Sequence, residues 1–239
     1  LLRNGIDWPD SKFSFHLKWK KALRKINKPD IIYSRSFPLS STVMAYKLTK
    51  HFDVPWVLHM SDPWSISPIH NRSYKNQKYH ERLEKECFQR ASAICFTSST
   101  TIEEYQNIYP DLKEKFHLIP NVPYAETELQ PIEWHSKLKI AYTGGLAGKR
   151  SPKNIIKAIE QFVLENPNRV DQFEIVFAGN IDRENASYFQ STGLPNVKHI
   201  HNLTLADSVK LQQESHVLLS IDNPMPKGAR AMFLPSKVM

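Results

Sequence analysis

The sequence is poor in cysteine and contains no long apolar run. Cys87 and Cys95 are its two cysteines, too few for a disulfide framework or a four-ligand zinc site. No apolar stretch approaches the roughly 20 residues that a membrane-spanning helix needs. These absences argue against a disulfide-stabilised secreted domain and against an integral membrane protein, and they predict a protein of the reducing cytoplasm.

Glycine is also scarce, and its distribution singles out one loop. The chain has seven glycines, and Gly144, Gly145 and Gly148 all fall in the 139–153 stretch KIAYTGGLAGKRSPK. An apolar strand precedes this loop, and the Ser-Pro pair with the periodic run NIIKAIEQFVL predicts a helix after it. The loop lacks the Gly-Lys-Ser/Thr of a Walker A motif and the spacing of GxGxxG, so both common nucleotide motifs are excluded.

The glycine loop still has the chemistry of an anion site. A loop that opens a helix presents unpaired backbone N–H groups and the positive end of the helix dipole, where a phosphate can bind. Lys149, Arg150 and Lys153 add positive charge beside it. The alternative is an ordinary strand-to-helix turn whose lysines are solvated, and the loop alone favours neither interpretation.

The chain is basic, with a formal net charge of +8. This charge favours nucleic acid, an anionic membrane surface or phosphorylated small molecules as partners. Nucleic acid is the least favoured of the three, because the basic residues are dispersed and no recognition motif accompanies them. The basic segment 15–26, FHLKWKKALRKI, predicts a helix that either contacts an anionic membrane surface or packs on a sheet with its charges in water.

Apolar strands alternate with helical segments through most of the chain. A helix is predicted at 39–52, a strand at 55–60 and a long helix at 74–91, and the second half repeats the alternation from residue 139. Helices between strands imply crossover connections and hence parallel sheets covered on both faces. The pattern predicts an α/β protein with two Rossmann-like domains, at 1–125 and 137–239, joined by an irregular linker at 126–136.

Two polar residues lie where an open parallel sheet binds ligands. His59 and Asp62 stand at, or just past, the end of the predicted strand 55–60, and ligands bind outside the carboxyl ends of such strands. Each also has a purely structural interpretation. His59 would then be a satisfied strand-end histidine, and Asp62 a turn residue before Pro63.

Seven segments occur in a characteristic order: KPDIIYSRSFPLSS, VPWVLHMSDPW, FTSSTTIEEY, LIPNVPY, IAYTGGLAGKRSPKNIIKAI, IVFAG and FLPSKVM. Together they resemble the retaining family 4 glycosyltransferases of the GT-B fold, especially bacterial polysaccharide and lipid-linked glycan enzymes. The resemblance implies two Rossmann-like domains whose parallel sheets face each other across a cleft, incomplete here at both termini. It also implies hexosyltransferase-type transfer from a nucleotide-diphosphate sugar, bound by the second domain, to a glycan or lipid-linked acceptor held by the first.

The resemblance also implies roles for individual residues. His59 matches the first-domain active-site histidine, and Asp62 is a candidate for contact with the acceptor. Arg150 is the expected catalytic cation, because Gly145 stands where the family usually has arginine. The donor-binding residues are expected to be Gly144, Gly145, Lys149, Arg150, Lys153, Gly179, Ser236 and Lys237. No metal ligand and no cofactor are expected.

Other functions remain compatible with the sequence. A sugar-nucleotide 2-epimerase of the same fold would form product without an acceptor. A degenerate nucleotide- or membrane-binding module would bind without turnover, and Gly145 and Met232 favour it because the family has charged residues there. For transfer itself, no carboxylate pair of the glycoside-hydrolase kind is visible. A same-face mechanism is what the family resemblance implies. The protein is expected to be cytoplasmic, and peripheral association with the inner face of the membrane is left open.

Overall fold

The computed structural model describes residues 9–67, 74–122 and 137–224, together with 230 and 232. The chain divides into two compact units. Unit 1 comprises Leu1–Val122 and Met225–Ser236, and unit 2 comprises Pro123–Pro224 and Lys237–Met239. The predicted linker at 126–136 lies outside the described residues, so the domain boundaries proposed from the sequence stay a prediction.

Unit 1 is built on a four-stranded parallel sheet in the order β1-β2-β3-β4. The strands are β1 Ile32–Ser36, β2 Trp56–Met60, β3 Ala93–Phe96 and β4 Phe116–Leu118. Two short helices precede them, α1 Ser14–Leu17 and α2 Trp19–Leu23. The connections are α3 Leu39–Phe52, α4 Tyr74–Arg90, and α5 Ser99–Ile108 followed by a 3₁₀ helix at Pro110–Lys115.

The core of unit 1 lies on one face of this sheet. Trp56, Leu58 and Met60 alternate along β2 and are fully buried, as the two-residue period of a strand requires. They pack in one cluster with side chains of α3, α4 and α5. All three connections step in the same direction across the sheet, so right-handed crossovers place their helices on the same side.

The opposite face of the unit 1 sheet mixes apolar and polar side chains. Tyr33 on this face is 61% exposed, whereas Cys95 is buried. Tyr33, Val57 and Ala93 lie in register across it. In register across it lie Arg35, His59 and Cys95.

The single helix predicted at 15–26 is wrong in detail, because the segment forms the two short helices α1 and α2. They meet at Lys18, whose backbone is not helical, and α1 packs on α3. His16 is the residue of α1 that is buried, whereas Phe15, Leu17 and Ile26 remain 43–57% exposed. Trp19, Ala22 and Leu23 are half-buried, so the predicted apolar face is packed in its middle and exposed at its two ends.

Unit 2 has a second four-stranded parallel sheet, in the order β7-β6-β5-β8. Its strands are β5 Leu138–Thr143, β6 Phe173–Ala178, β7 Val197–Ile200 and β8 Val217–Leu218. The connecting helices are α6 Lys153–Glu165, α7 Arg183–Ser191 and α8 Leu205–Gln213, with a 3₁₀ helix at Pro167–Gln172.

The strand order of unit 2 reverses direction beside β5. From β5 the chain steps outward to β6 and β7, and α8 then returns it to β8 on the other side of β5. The two faces accordingly have separate cores, one containing Tyr142 and Phe177 and the other containing Ala141 and Leu211. Such a reversal opens a crevice at the carboxyl ends of the strands, which is where α/β sheets bind ligands.

Phe88 on α4 lies at the centre of the unit 1 core. It is fully buried, and its ring contacts the rings of Phe96, Tyr105 and Phe116 at centroid distances of 5.1–6.2 Å. We expect Phe88→Ala to lower the free energy of unfolding by about 3–5 kcal/mol, because it removes buried area and leaves a cavity. Chemical denaturation measures this. Val122→Ala is the control, since Val122 is 83% exposed, and similar losses in both variants would contradict this description of the core.

Candidate functional site

A pocket of about 330 Å³ opens at the carboxyl ends of β5 and β6 in unit 2. Its lining includes Thr143, Gly144, Gly145, Gly179, Asn180 and Asn202. Three of the donor-binding residues expected from the sequence, Gly144, Gly145 and Gly179, are thus brought together. The pocket has the size of a small-molecule site, and its walls offer backbone, amide and hydroxyl groups for hydrogen bonding.

Two glycine backbones in contact form the floor of this pocket. Gly144 and Gly179 have φ angles of 151° and 137°, which residues with a side chain rarely adopt. An ideal Cβ on Gly179 would lie 2.4 Å from the carbonyl oxygen of Gly144. The amide of Gly144 also donates to the carbonyl of Ala178 at 2.8 Å. A side chain at position 179 does not fit between the two loops, and the φ angle of Gly144 favours glycine there as well.

Further hydrogen bonds join the glycine loop to the loop after β6. The amide of Leu146 donates to Asn180 O at 2.9 Å, and the amide of Asp182 donates to Leu146 O at 3.1 Å. The Asp182 carboxylate accepts from the amides of Gly148 at 2.7 Å and Asn185 at 2.9 Å. These two bonds lower the pKa of Asp182, and the bond from the Asn185 amide has the larger effect. Sequence reasoning missed this residue, although an aspartate directly before a predicted helix is a recognisable N-cap.

His199 fixes the carbonyl of Gly179 from the β7 side. Its Nε2 lies 2.9 Å from Gly179 O, and because a carbonyl only accepts, the imidazole carries a proton on Nε2. The ring packs against Phe189 and His201 at centroid distances of 5.2 and 4.7 Å. His199 was not anticipated from the sequence, where it is one of several histidines without a motif.

Arg150 lies beside the strand reversal and not in the pocket lining. Its guanidinium Nη2 is 3.3 Å from Oδ1 of Asp222, a residue that follows β8. Its Nε is buried and has no hydrogen-bond partner in the described part of the chain. Arg150 is therefore oriented by a carboxylate on one side of its fork while another donor stays available, and a guanidinium in this state can bind a phosphate oxygen.

The two lysines expected beside Arg150 are exposed. Neither Lys149 nor Lys153 belongs to the pocket lining, and the Lys153 ammonium lies 5.8 Å from the ring centroid of Tyr188. The helix start predicted at the Ser-Pro pair is correct, since α6 begins at Lys153 with Pro152 as N-cap and no side-chain cap bond. The structure thus groups the glycines in the pocket and leaves the lysines on the surface. Ser236 and Lys237 lie outside the described residues.

In unit 1, His59 occupies the carboxyl half of β2 on the face of the sheet opposite the core. Its Nδ1 shares a hydrogen bond of 2.7 Å with the Tyr33 hydroxyl. Its Nε2 is buried and has no hydrogen-bond partner among the described residues. Burial, and then the charge of Arg35, lowers the pKa of His59, so the imidazole is neutral near pH 7. A neutral imidazole with an unused ring nitrogen suits contact with a substrate hydroxyl.

Asp62 lies in the 61–67 segment that follows β2, and it is exposed. Glu84 of α4, which is fully buried, holds this segment through hydrogen bonds. The Glu84 carboxylate accepts from the amide and hydroxyl of Ser65 at 2.7 and 2.6 Å, and from the hydroxyls of Tyr105 and Tyr109 at 2.7 and 3.0 Å. Burial raises the pKa of Glu84, and these bonds act in the opposite direction. The sequence shows Glu84 only as one acid of a charged helix, although it shares the helical face of Cys87 and Phe88.

Two further observations concern the described residues alone. They contain no group of three or more His, Cys, Asp or Glu side chains that could hold a metal ion. None of their helices is both long and apolar enough to cross a bilayer.

Comparison with known proteins gives one family match. Residues 4–122 match the model of Glycosyltransferase Family 4. No curated protein sequence is significantly similar to the chain.

Solved structures similar to this chain include three relevant examples. One is an E. coli protein named for trehalose-6-phosphate and bound with UDP-2-fluoro glucose, with a TM-score of 0.67 at 11% identity. The match covers 88% of this chain and 56% of the E. coli chain. HepE of Anabaena in complex with UDP has a TM-score of 0.57 at 17% identity, covering 84% and 55%. A Listeria monocytogenes protein described as a UDP-N-acetylglucosamine 2-epimerase has a TM-score of 0.56 at 12% identity, covering 91% and 59%. At these identities the likeness shows a shared fold, and this chain spans between half and three fifths of each protein's length.

The contact between Gly144 and Gly179 predicts a large difference between two glycine substitutions. Gly179→Ala should lower the free energy of unfolding by about 1–3 kcal/mol, because it adds a Cβ at a φ of 137° against a carbonyl oxygen. Gly145→Ala is the matched change in the same pocket, since its Cβ would meet only Asn180 O at 3.7 Å, and it should cost about 0.5 kcal/mol or less. Urea denaturation of both variants checks this. Equal midpoints would show that the close approach does not constrain the fold.

Proposed function

We propose that this chain transfers a sugar. The premise is that it belongs through residues 4–122 to Glycosyltransferase Family 4 and has the GT-B fold. The donor is a nucleotide-diphosphate sugar, the acceptor is a glycan or lipid-linked glycan, and the anomeric configuration is retained. The observation that carries the proposal is the pocket at the β5 and β6 carboxyl ends, formed by Gly144, Gly145 and Gly179. The reaction is of the hexosyltransferase type and belongs to bacterial polysaccharide or glycan biosynthesis.

Unit 2 is the proposed donor site. Glycine at Gly144 and Gly179 lets a ligand approach the backbone closely, while Asn180 and Asn202 supply amide groups at the rim. Two structures that share the fold contain UDP-2-fluoro glucose or UDP, which favours a uridine nucleotide in this chain. Ser236 and Lys237, with Lys149 and Lys153 at the surface, remain proposed donor contacts.

Arg150 is the proposed stabiliser of the leaving group. Negative charge grows on the β-phosphate as the glycosidic bond to the donor breaks, and a fixed cation there lowers the barrier. The ion pair with Asp222 at 3.3 Å orients the guanidinium before substrate arrives. The buried, unpartnered Nε is the donor that a phosphate oxygen would satisfy. With this cation in place, the proposed transfer requires no metal.

Retention is proposed to follow a same-face route. A double-displacement route needs a carboxylate beside the anomeric carbon, and none of the described residues that line the pocket is acidic. The donor phosphate itself would accept the proton of the acceptor hydroxyl. The acceptor would be held by unit 1, with His59 Nε2 and Asp62 as its proposed contacts.

A 2-epimerase is the second candidate. The fold similarity to the Listeria monocytogenes protein, at a TM-score of 0.56, favours this candidate. An epimerase forms product from the nucleotide sugar alone, whereas a transferase requires an added acceptor. A degenerate binding module would bind nucleotide and form no product in either assay.

An anionic membrane surface is the proposed second partner of unit 1, which suits a lipid-linked acceptor. Between Asp10 and Asp30 the sequence has seven lysines and arginines and no acidic residue. Within this basic segment, Phe15, Leu17 and Ile26 are 50%, 57% and 43% exposed. Exposed apolar groups among cations are the composition of a segment that lies in a membrane interface. The protein would then be cytoplasmic and peripheral at the inner face of the membrane.

Removing Arg150 should weaken nucleotide binding. In Arg150→Ala the dissociation constant for UDP should rise about 10–100-fold, because a charge-assisted hydrogen bond to phosphate is lost. Arg150→Lys should be intermediate, since it keeps the charge and loses the fork. Isothermal titration calorimetry measures the binding. Lys157→Ala is the control, a solvent-exposed cation of α6, and an unchanged affinity in Arg150→Ala would remove Arg150 from the site.

The basic segment should bind anionic vesicles. Lys20→Glu with Lys21→Glu should reduce cosedimentation with phosphatidylglycerol vesicles more than tenfold, because each cation near an anionic surface contributes about 1 kcal/mol. Lys85→Glu with Lys157→Glu makes the same charge change at exposed positions elsewhere and should have little effect. Equal losses in both pairs would indicate non-specific attraction, and binding to phosphatidylcholine vesicles alone would contradict the electrostatic interpretation.

A further inference from the structure

Glu84 is a buried carboxylate that the proposed reaction does not use directly. Its side chain is fully buried, and it takes part in none of the ion pairs of the described residues. Its two oxygens accept four hydrogen bonds, from the Ser65 amide, the Ser65 hydroxyl and the two tyrosines Tyr105 and Tyr109. A buried carboxylate costs free energy unless such bonds satisfy it, so a role in holding its partners explains its position.

The partners of Glu84 fix one end of the 61–67 segment. Both hydrogen-bonding groups of Ser65 donate to Glu84, and the Ser65 carbonyl accepts from Gln77 Nε2 at 2.9 Å. The neighbouring Trp64 is fully buried. Its amide donates to the Tyr105 hydroxyl at 2.8 Å, and its indole N–H donates to His80 Nδ1 at 2.8 Å.

The other end of the segment is fixed at the sheet. The Ser61 hydroxyl accepts from Arg35 Nε at 3.0 Å, and the Ser61 carbonyl accepts from the Thr97 hydroxyl at 3.0 Å. Asp62 and the buried Pro63 lie between these two fixed points. The exposed Asp62 carboxylate therefore stands directly after β2, three residues from His59, on a backbone held at both ends.

We propose that Glu84 is a positioning residue, which holds the 61–67 segment and thereby places Asp62 at the carboxyl end of β2 beside His59. Glu84, the 61–67 segment and His59 all belong to unit 1. Its consequence for acceptor binding rests on the proposed function.

The hydrogen-bond directions explain why an acceptor is needed at position 84. The Tyr105 hydroxyl accepts from the Trp64 amide, so its own hydrogen points to Glu84 Oε2. The Ser65 amide, which can only donate, meets the same oxygen. Leucine at position 84 would remove this acceptor and leave both donors buried and unsatisfied.

The test compares three variants of the protein by hydrogen–deuterium exchange and by kinetics. Glu84→Leu removes both acceptor oxygens, Tyr109→Phe deletes one of the four bonds, and Glu86→Gln changes a partly exposed carboxylate of α4 that bonds to Arg82. We expect amides of the 61–67 segment to exchange about tenfold faster or more in Glu84→Leu, less so in Tyr109→Phe, and unchanged in Glu86→Gln. UDP affinity should be unchanged in all three, while kcat/KM for the acceptor falls in Glu84→Leu.

The outcomes separate this inference from the proposed function. Faster exchange confined to the 61–67 segment supports the positioning role. Unchanged exchange there, or faster exchange throughout unit 1, overturns it, because Glu84 would then be irrelevant to the segment or needed for folding as a whole. If the unmodified protein transfers no sugar, the proposed function fails and the exchange pattern alone decides the role of Glu84.

Discussion

The contact between two glycine backbones, Gly144 after β5 and Gly179 after β6, is the constraint on which the proposed donor site depends. It brings two loops within van der Waals distance at the carboxyl edge of the sheet. The hydrogen bonds from Leu146 and Gly148 to the loop after β6 hold the same approach over the following residues. A pocket walled by backbone and small polar groups results, and such walls suit a nucleotide diphosphate better than an apolar ligand.

Unit 1 uses a different device at the corresponding edge of its sheet. Its 61–67 segment has no glycine, and a buried carboxylate and the indole of Trp64 anchor it to the helices beneath. Beside it, His59 is kept neutral by burial and by Arg35. Each unit therefore presents polar groups at the carboxyl ends of a parallel sheet, where α/β folds bind ligands. In one unit backbone packing fixes them, and in the other side-chain hydrogen bonds do.

Local patterns in the sequence predicted the elements of the fold well. The helix predicted at 39–52 has those bounds in the structure, and the predictions of a strand before the glycine loop and of a helix after the Ser-Pro pair are also correct. These elements have strong periodicity and clear start signals, which are local properties. The prediction of one helix over 15–26 was wrong, because the segment is interrupted at Lys18 and both short helices contact α3, a tertiary contact that the local period does not encode.

The candidate site was less predictable than the fold. Gly144 and Gly145 could be named from the sequence because a glycine loop that opens a helix can bind a phosphate, and Gly179 could be named through the family resemblance. The partners that fix the site could not. Asp222 reaches Arg150 across 72 positions of sequence, and Glu84 reaches Ser65 from the next helix, so both depend on packing that no local pattern encodes.

The most direct test of the proposed donor site is an NMR titration of the ¹⁵N-labelled protein with UDP. Binding at the β5 and β6 carboxyl ends predicts that the largest amide shift changes occur at Gly144, Gly145, Gly179 and Asn202, with smaller changes near Arg150. Shift changes confined to unit 1 would contradict a nucleotide site in unit 2. The absence of any shift change at a large molar excess of UDP over protein would contradict it as well.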